Sequence, residues 1–340
     1  MTKRQRVLQA LRFEDTDIVP YHISLTGPAR EKFVEHVGEG DLEEILGNHL
    51  FGVSPRGEGG AKEERPGFFR DRFGVLWDKT VDQDIGNPCE LPLADGKLED
   101  YQWPEPADPR RFERMDEDIE RGSDRFIVSG LGFTLFERAW TLRGMENLLM
   151  DMVTNEDFVH ELMDAICEWN MAYTEKLLEH PIDAVYFGDD WGQQQGLIMG
   201  PQLWRKFIKP RLARMYKQVR DAGKMVYIHS CGKVDELFDE LVELGLNIFN
   251  PFQPEVMDTF ALSKKYKGRL SFCGGISVQR LLPHGTPDEV RSEVKRILSE
   301  IGAGGGYIAG ASHDTILEET PVENVLTMFD TIHEFGNYQK

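Results

Sequence analysis

From residue 125 to the C terminus, short apolar runs alternate with amphipathic stretches of about a dozen residues or more, and this rhythm limits the folds open to the chain. RFIVSGLG (125–132), DAVYFGDD (183–190), KMVYIHS (224–230), LNIFNPF (246–252), RLSFCGG (269–275) and GGYIAGAS (305–312) have the length and composition of buried strands. Between them lie helical patterns: 155–180 with Asn155 as N-cap, 200–223 with Pro210 as a kink, and 234–245 closed by a glycine. Such alternation builds βαβ units and a parallel sheet.

IVPYHIS (18–24) reads as a further strand, which makes seven, and there is room for an eighth in the less regular segment that follows. That segment, from about residue 38 to 110, is rich in Gly, Pro and charge; it reads as an insert with its own hairpins, on which Phe73 and Trp77 pack. Neither GxGxxG after the first strand nor GxxxxGK[ST] is present, so the dinucleotide and P-loop readings lack their motifs. The expectation is an α/β fold: one (β/α)8 barrel domain over residues 1–340, elaborated at about 38–110, rather than an open doubly wound sheet.

Composition narrows the function classes. A formal net charge of −20 argues against nucleic acid or an anionic membrane surface as partner. No stretch approaches the roughly 18–20 apolar residues of a membrane span, and the N-terminal residues lack a signal-peptide core. Four cysteines without a regular spacing fit a reducing compartment, so a cytoplasmic protein is expected.

In a barrel of this kind the chemistry sits at the C-terminal ends of the strands. The first strand carries His22; the strand at 183 ends in Asp189, Asp190 and Trp191, with Gln193 just beyond. The strand at 224 ends in His229 and Cys231, the next in Asn250 and Gln253, the next in Cys273, and the last in His313 and Asp314. An apolar core needs no such collection on one rim. His229 and Cys231 are two residues apart, so in a strand both face the same side. Imidazole, thiolate and carboxylate are zinc ligands, and a catalytic zinc uses three of them and keeps one position open. A third ligand is offered by Cys273, His313, Asp189 or Asp190.

The plainer reading is packing, since free cysteine is among the most buried residue types. Cys89 and Cys167 are read that way, and His160, His180, His284 and His333 as solvated. On the functional reading Asp189, Asp190 and His22 are candidate catalytic groups, Trp191, Gln193, Asn250 and Gln253 line the substrate, and His229, Cys231, Cys273 and His313 are candidate metal ligands.

The chain also resembles a known family. RQRVLQALRFEDTDIVPYHI, DRFGVLWDKT, GDDWGQQQGLIMGPQLWRKFIKPRLARMY, IHSCGKVDELFDELVELGLNIFNPFQPEVMD, LSFCGGISVQRLLPHGTPDEV and GGGYIAGASH…TPVEN are similar to the uroporphyrinogen decarboxylase superfamily, in its methyltransferase-like branch. The resemblance runs along nearly the whole chain and implies a (β/α)8 barrel. True decarboxylases of that superfamily are metal-free and carry RQAGR after the first strand; here the stretch is HISLTGPAR, with no arginine before Arg30. The corrinoid-linked methyltransferases carry zinc on an H-x-C motif after a barrel strand, and His229 and Cys231 match it. Their further cysteine falls near the last strand, where this chain reads AGASHD, so the third ligand stays open among Cys273, His313 and the carboxylates. The resemblance thus implies a zinc methyltransferase working with a cobalamin-carrying corrinoid protein as partner and a small methyl donor or acceptor. A proton for the leaving group would come from Asp190 or His22. A homodimer is implied by resemblance alone. The alternatives are a metal-free decarboxylase of tetrapyrrole synthesis and a non-catalytic binding subunit.

Overall fold

The computed structural model describes residues 1–38, 45–56, 61–83 and 85–336. Seven strands form one parallel sheet: β1 (Leu50–Gly52), β6 (Phe126–Leu131), β7 (Ala184–Gly188), β8 (Met225–His229), β9 (Ile248–Phe252), β10 (Ser271–Ile276) and β11 (Tyr307–Ala311), side by side in that order. Four others, β2 (Lys62–Arg65), β3 (Phe68–Arg70), β4 (Leu76–Asp78) and β5 (Asn87–Glu90), make a separate antiparallel sheet. Sequential neighbours in the large sheet are joined by helical crossovers, as parallel pairing demands.

The expected first strand behaves differently. Residues 18–24 form no strand of the sheet; Tyr21 makes a single parallel bridge to Ala309 of β11, and Leu25 one to Ile316. The seventh strand is Leu50–Gly52, which falls inside the segment read as an insert. Pro20 has no N–H to give, yet the segment is bonded on both sides: His22 N–H donates to the Ala309 carbonyl at 2.9 Å, Ala309 N–H to the Pro20 carbonyl at 2.8 Å and His49 N–H to the Tyr21 carbonyl at 3.1 Å, while the side chains of His49 and Asn48 accept the Tyr21 and Ile23 N–H groups. Tyr21 therefore contacts both β11 and the chain entering β1.

Strand alternation sorts the core into two layers. Phe126, Val128, Ala184, Tyr227, Ile248, Cys273 and Ile308 share one buried cluster, over which Val7 of the helix Lys3–Ala10 packs. Their alternate neighbours, among them Ile127, Val185, Phe187, Val226, Ile228 and Phe249, join the larger cluster with the surrounding helices. Adjacent residues of one strand thus belong to different cores.

The helical stretch at 200–223 is not one bent α-helix. Gly200–Leu203 runs into a wider π turn at Trp204–Ile208, and α-helix resumes at Lys209–Asp221 with Pro210 in its first turn. There the missing N–H breaks no bond. Asn155 does sit at the N-cap of Glu156–Leu178, without a side-chain cap bond. Gly245 closes its helix in the left-handed region at φ 97°.

The insert is fastened by one carboxylate. Asp71 accepts from the Phe73 and Val75 N–H groups at 2.9 and 3.0 Å, from the Trp77 indole at 3.1 Å, and lies 3.4 Å from Arg138. Trp77 stacks on Phe133 with ring centroids 5.6 Å apart. Both contacts tie the small sheet to the segment after β6 and its helix Phe136–Arg143. Among the described residues no helix is long and apolar enough to cross a membrane.

Candidate metal centre

β8 ends at His229, and the turn after it carries Ser230, Cys231 and Gly232. His229 Nδ1 lies 2.7 Å from Asn250 Oδ1 and 2.9 Å from Asp314 Oδ1. Asn250 keeps its oxygen on that side because its amide N–H donates to the Cys273 carbonyl at 3.3 Å. Two acceptors at Nδ1 require a proton there, so Nε2 is the nitrogen left to face outward. It stands 3.3 Å from Cys231 Sγ and 3.6 Å from Asp190 Oδ1. Asp190 is itself fixed by the Cys231 N–H at 2.7 Å. The ligand atoms of Asp190, His229 and Cys231 all lie within 4.8 Å of one another.

Charge follows this geometry. Burial pulls His229 down, but the bonds to Asp314 and Cys231 outweigh it and hold the proton well above the ordinary histidine range. Burial pushes the Cys231 thiol up, yet the facing imidazoles of His229 and His313 bring it below its usual value. Asp314 is likewise raised by burial and lowered further by His229 and Tyr186, so it stays a carboxylate. An imidazole and a thiolate-prone sulfur that must both give up protons to a metal are thus already paired.

Neighbouring aspartates do opposite jobs because the chain alternates as it leaves β7. Asp189 is fully buried and accepts from the Phe136 N–H at 3.0 Å, the Glu137 N–H at 2.8 Å and the Trp191 indole at 2.7 Å. It caps the start of the helix Phe136–Arg143, while burial pushes it up to about 6 against those bonds. Trp191 is also fully buried, edge-on to Trp204. Gln253 accepts the Gly232 N–H at 2.6 Å and so holds the turn that carries Cys231. Gly232 has φ 85°, and a Cβ there would meet the Gly192 carbonyl carbon at 2.4 Å, so only glycine suits the turn. Gln193 is exposed, and its carbonyl accepts from the Lys233 N–H.

Beside this group lies a cavity of about 410 Å³. His22, Asn250, Cys273 and His313 line it, as do Tyr186 and Tyr227; Asp189, Trp191, Gln193 and Gln253 do not. The cavity meets the metal-ligating group through Asn250, His313 and Asp314, which line it and touch His229 or Cys231. Cys273 lies in the cavity wall near Tyr227 and Asn250, and burial pushes its thiol up to about 11.

Three groups carry more of the site than the sequence reading gave them. Asp314 orients His229 and accepts the Tyr186 hydroxyl at 3.1 Å. Tyr186 is an ordinary strand residue in sequence, with no signal beyond its inward register. Glu137 begins the helix after β6, and burial together with Asp190 and Asp189 pushes it up to about 9. Its one sequence signal is a carboxylate in the otherwise apolar run GFTLFERAW after a strand end.

Comparisons with known proteins agree with this fold. Over 275 residues the chain is 21% identical to the methylated-thiol–coenzyme M methyltransferase of Methanosarcina mazei, covering 76% of this chain and 71% of that enzyme. It is 28% identical over 189 residues to the uroporphyrinogen decarboxylase of Thermus thermophilus, covering 54% of this chain and only 50% of the decarboxylase. The solved structure of a methyltransferase from Methanosarcina mazei superposes with a TM-score of 0.75 at 18% identity, covering 98% of this chain and 99% of that one, and so shares the fold. The family model described as uroporphyrinogen decarboxylase (URO-D) matches residues 128–335, from β6 through the final helix. The chain therefore belongs to the uroporphyrinogen decarboxylase family.

Proposed function

We propose that this protein is a zinc-dependent methyltransferase, which moves a methyl group between a small O-, N- or S-methyl compound, or a thiol or pterin acceptor, and a corrinoid protein. It would do so on a (β/α)8 barrel whose eighth stave is the segment 19–25, bonded to β11 on one side and to the chain entering β1 on the other. The observation that carries this reading is the convergence of Asp190, His229 and Cys231 within 4.8 Å.

The residues suit the ion. Tetrahedral zinc with bonds of about 2.0–2.3 Å to N, O and S places neighbouring ligand atoms about 3.3–3.6 Å apart. The two separations from His229 Nε2 are 3.3 Å to sulfur and 3.6 Å to oxygen. His229 and Cys231 would hold the metal, with Asp190 as third ligand; His313 stands against the Cys231 sulfur, and Cys273 belongs to the cavity wall. When bound, zinc supplies Lewis acidity, lowering the pKa of a thiol acceptor or polarising the heteroatom of a methyl donor.

The chain's own residues supply the rest. Asn250 and Asp314 hold the imidazole plane and its tautomer. Gln253 and Asp190 fix the backbone on either side of Gly232 and Cys231. His22 stands in the cavity wall as a candidate proton donor. The corrinoid partner follows from the resemblance to the corrinoid-linked branch. The decarboxylase alternative is disfavoured because no arginine lines the cavity among the described residues, where a polycarboxylate would need several.

Elemental analysis of protein purified without chelator tests the proposal. About one zinc per chain is expected, lost in Cys231→Ser, with methyl transfer to or from a corrinoid abolished in the same variant. Metal-free protein with full transfer activity would refute it.

A further inference from the structure

We propose that the cavity beside His229 and Cys231 selects a methyl donor or acceptor that carries no anionic group; this deepens the methyltransferase reading and rests on it. Among the described residues that line the cavity there is no lysine or arginine. Its apolar wall is made by Leu50, Val53, Val128 and Leu131, and its hydroxyls by residues such as Ser24, Ser129 and Thr315. Among the described lining residues the one acidic side chain is Asp314, and the basic ones are the imidazoles of His22 and His313. Asp314 is in the wall, bonded to His229 and Tyr186, and Asp190 lies on the far side of the same imidazole. The imidazole of His313 is engaged with the Cys231 sulfur. A divalent ion held by Cys231 and Asp190 would be neutralised by that thiolate and carboxylate, and Asp314 would leave the surroundings negative overall.

A sulfonate or carboxylate entering here would lose its hydration and find no guanidinium or ammonium to replace it. It would also face Asp314 at short range in a partly desolvated space. An uncharged thiol, thioether or methyl ether meets neither cost. It can lay its alkyl part on the valine and leucine wall and its oxygen or hydroxyl against the serines. Gly52 and Gly132, where an added Cβ would meet nothing within 4 Å, leave the cavity open without adding charge.

The test uses two matched pairs on the cobalt(II)-substituted protein, read by its thiolate-to-cobalt absorption and by calorimetry. The pairs are 2-mercaptoethanol against 2-mercaptoethanesulfonate, and 2-(methylthio)ethanol against 2-(methylthio)ethanesulfonate. The uncharged member of each pair should bind at least tenfold more tightly. Ser54 is exposed and lies in the lining, so Ser54→Arg adds a cation at the rim without disturbing the core. That variant should reduce the discrimination at least tenfold. Equal or tighter binding of the sulfonates to the wild type overturns the inference, as does binding of neither member of either pair. A preference unchanged in Ser54→Arg overturns its electrostatic basis. Failure to bind cobalt at all, or an absorption indifferent to Cys231→Ser, refutes instead the metal reading on which it stands.

Discussion

Replacing Asp314 should weaken metal binding without unfolding the protein. Its carboxylate is 2.9 Å from His229 Nδ1 and also accepts the Tyr186 hydroxyl at 3.1 Å. Partners of this kind typically change metal affinity by about 10–100-fold, or about 1.4–2.7 kcal/mol. Asn250 shares the same Nδ1–H at 2.7 Å, so either acceptor alone keeps the proton on that nitrogen. Asp314→Asn retains the shape and an acceptor and loses only the charge, which places it near the tenfold end. Asp314→Ala combined with Asn250→Ala leaves Nδ1 with neither acceptor and should reach about a hundredfold. The two sites touch one imidazole, so their effects should exceed the sum of the singles. Zinc affinity would be measured by competition with a chromophoric chelator at fixed pH, beside urea unfolding of each apo variant. If the double variant remains folded and binds zinc within about threefold of the wild type, the Nδ1 partners do not set the ligand geometry.

Other residues give independent checks. Asp189→Ala strands three buried N–H donors and should cost about 3 kcal/mol in urea unfolding, whereas Asp190→Ala should cost less than about 1 kcal/mol and instead lose metal. Equal stability losses in the two would remove the distinction drawn between these aspartates. Gly130→Ala puts a Cβ 1.8 Å from the Tyr186 carbonyl oxygen, so it should destabilise by about 3 kcal/mol; a neutral result would mean β6 and β7 are less closely apposed. His49 is buried beside Arg6, its Nε2 2.7 Å from the guanidinium, and burial and that cation lower it from 6.5 to about 3. The unfolded chain therefore binds the extra proton between these values, and stability should fall as pH drops below about 6.5. From about pH 7.5 to pH 5 the loss due to His49 is roughly 2 kcal/mol. His49→Asn should remove that part of the slope, and a wild-type-minus-variant difference independent of pH would contradict the assignment.

The strand–helix rhythm was legible because periodicity records which residues are withdrawn from water. An apolar run of five or six residues followed by an amphipathic helix has few alternatives to βαβ winding. The same pattern placed His229 and Cys231 at one strand end, since spacing by two is a local property of extended chain. It was less informative at the start of the sheet. Residues 18–24 have strand composition yet make an isolated bridge, while Leu50–Gly52, only three residues long, joins the main sheet.

What tertiary structure alone decided is which distant groups meet. Asp190, Asn250 and Asp314 come from three separate strand ends, 39, 21 and 85 residues from His229, and converge on its two ring nitrogens only because the sheet curls their strands together. Asp189 and Asp190 are indistinguishable by composition. One caps a helix in the outer core and the other faces the imidazole, because successive side chains diverge as the chain leaves β7. The sequence alone thus determined the order of elements from residue 125 onward and the H-x-C pair. The absence of lysine and arginine from the described lining of the cavity, the partner on each nitrogen of His229 and the burial that perturbs Glu137 are set by long-range packing, which no local pattern encodes.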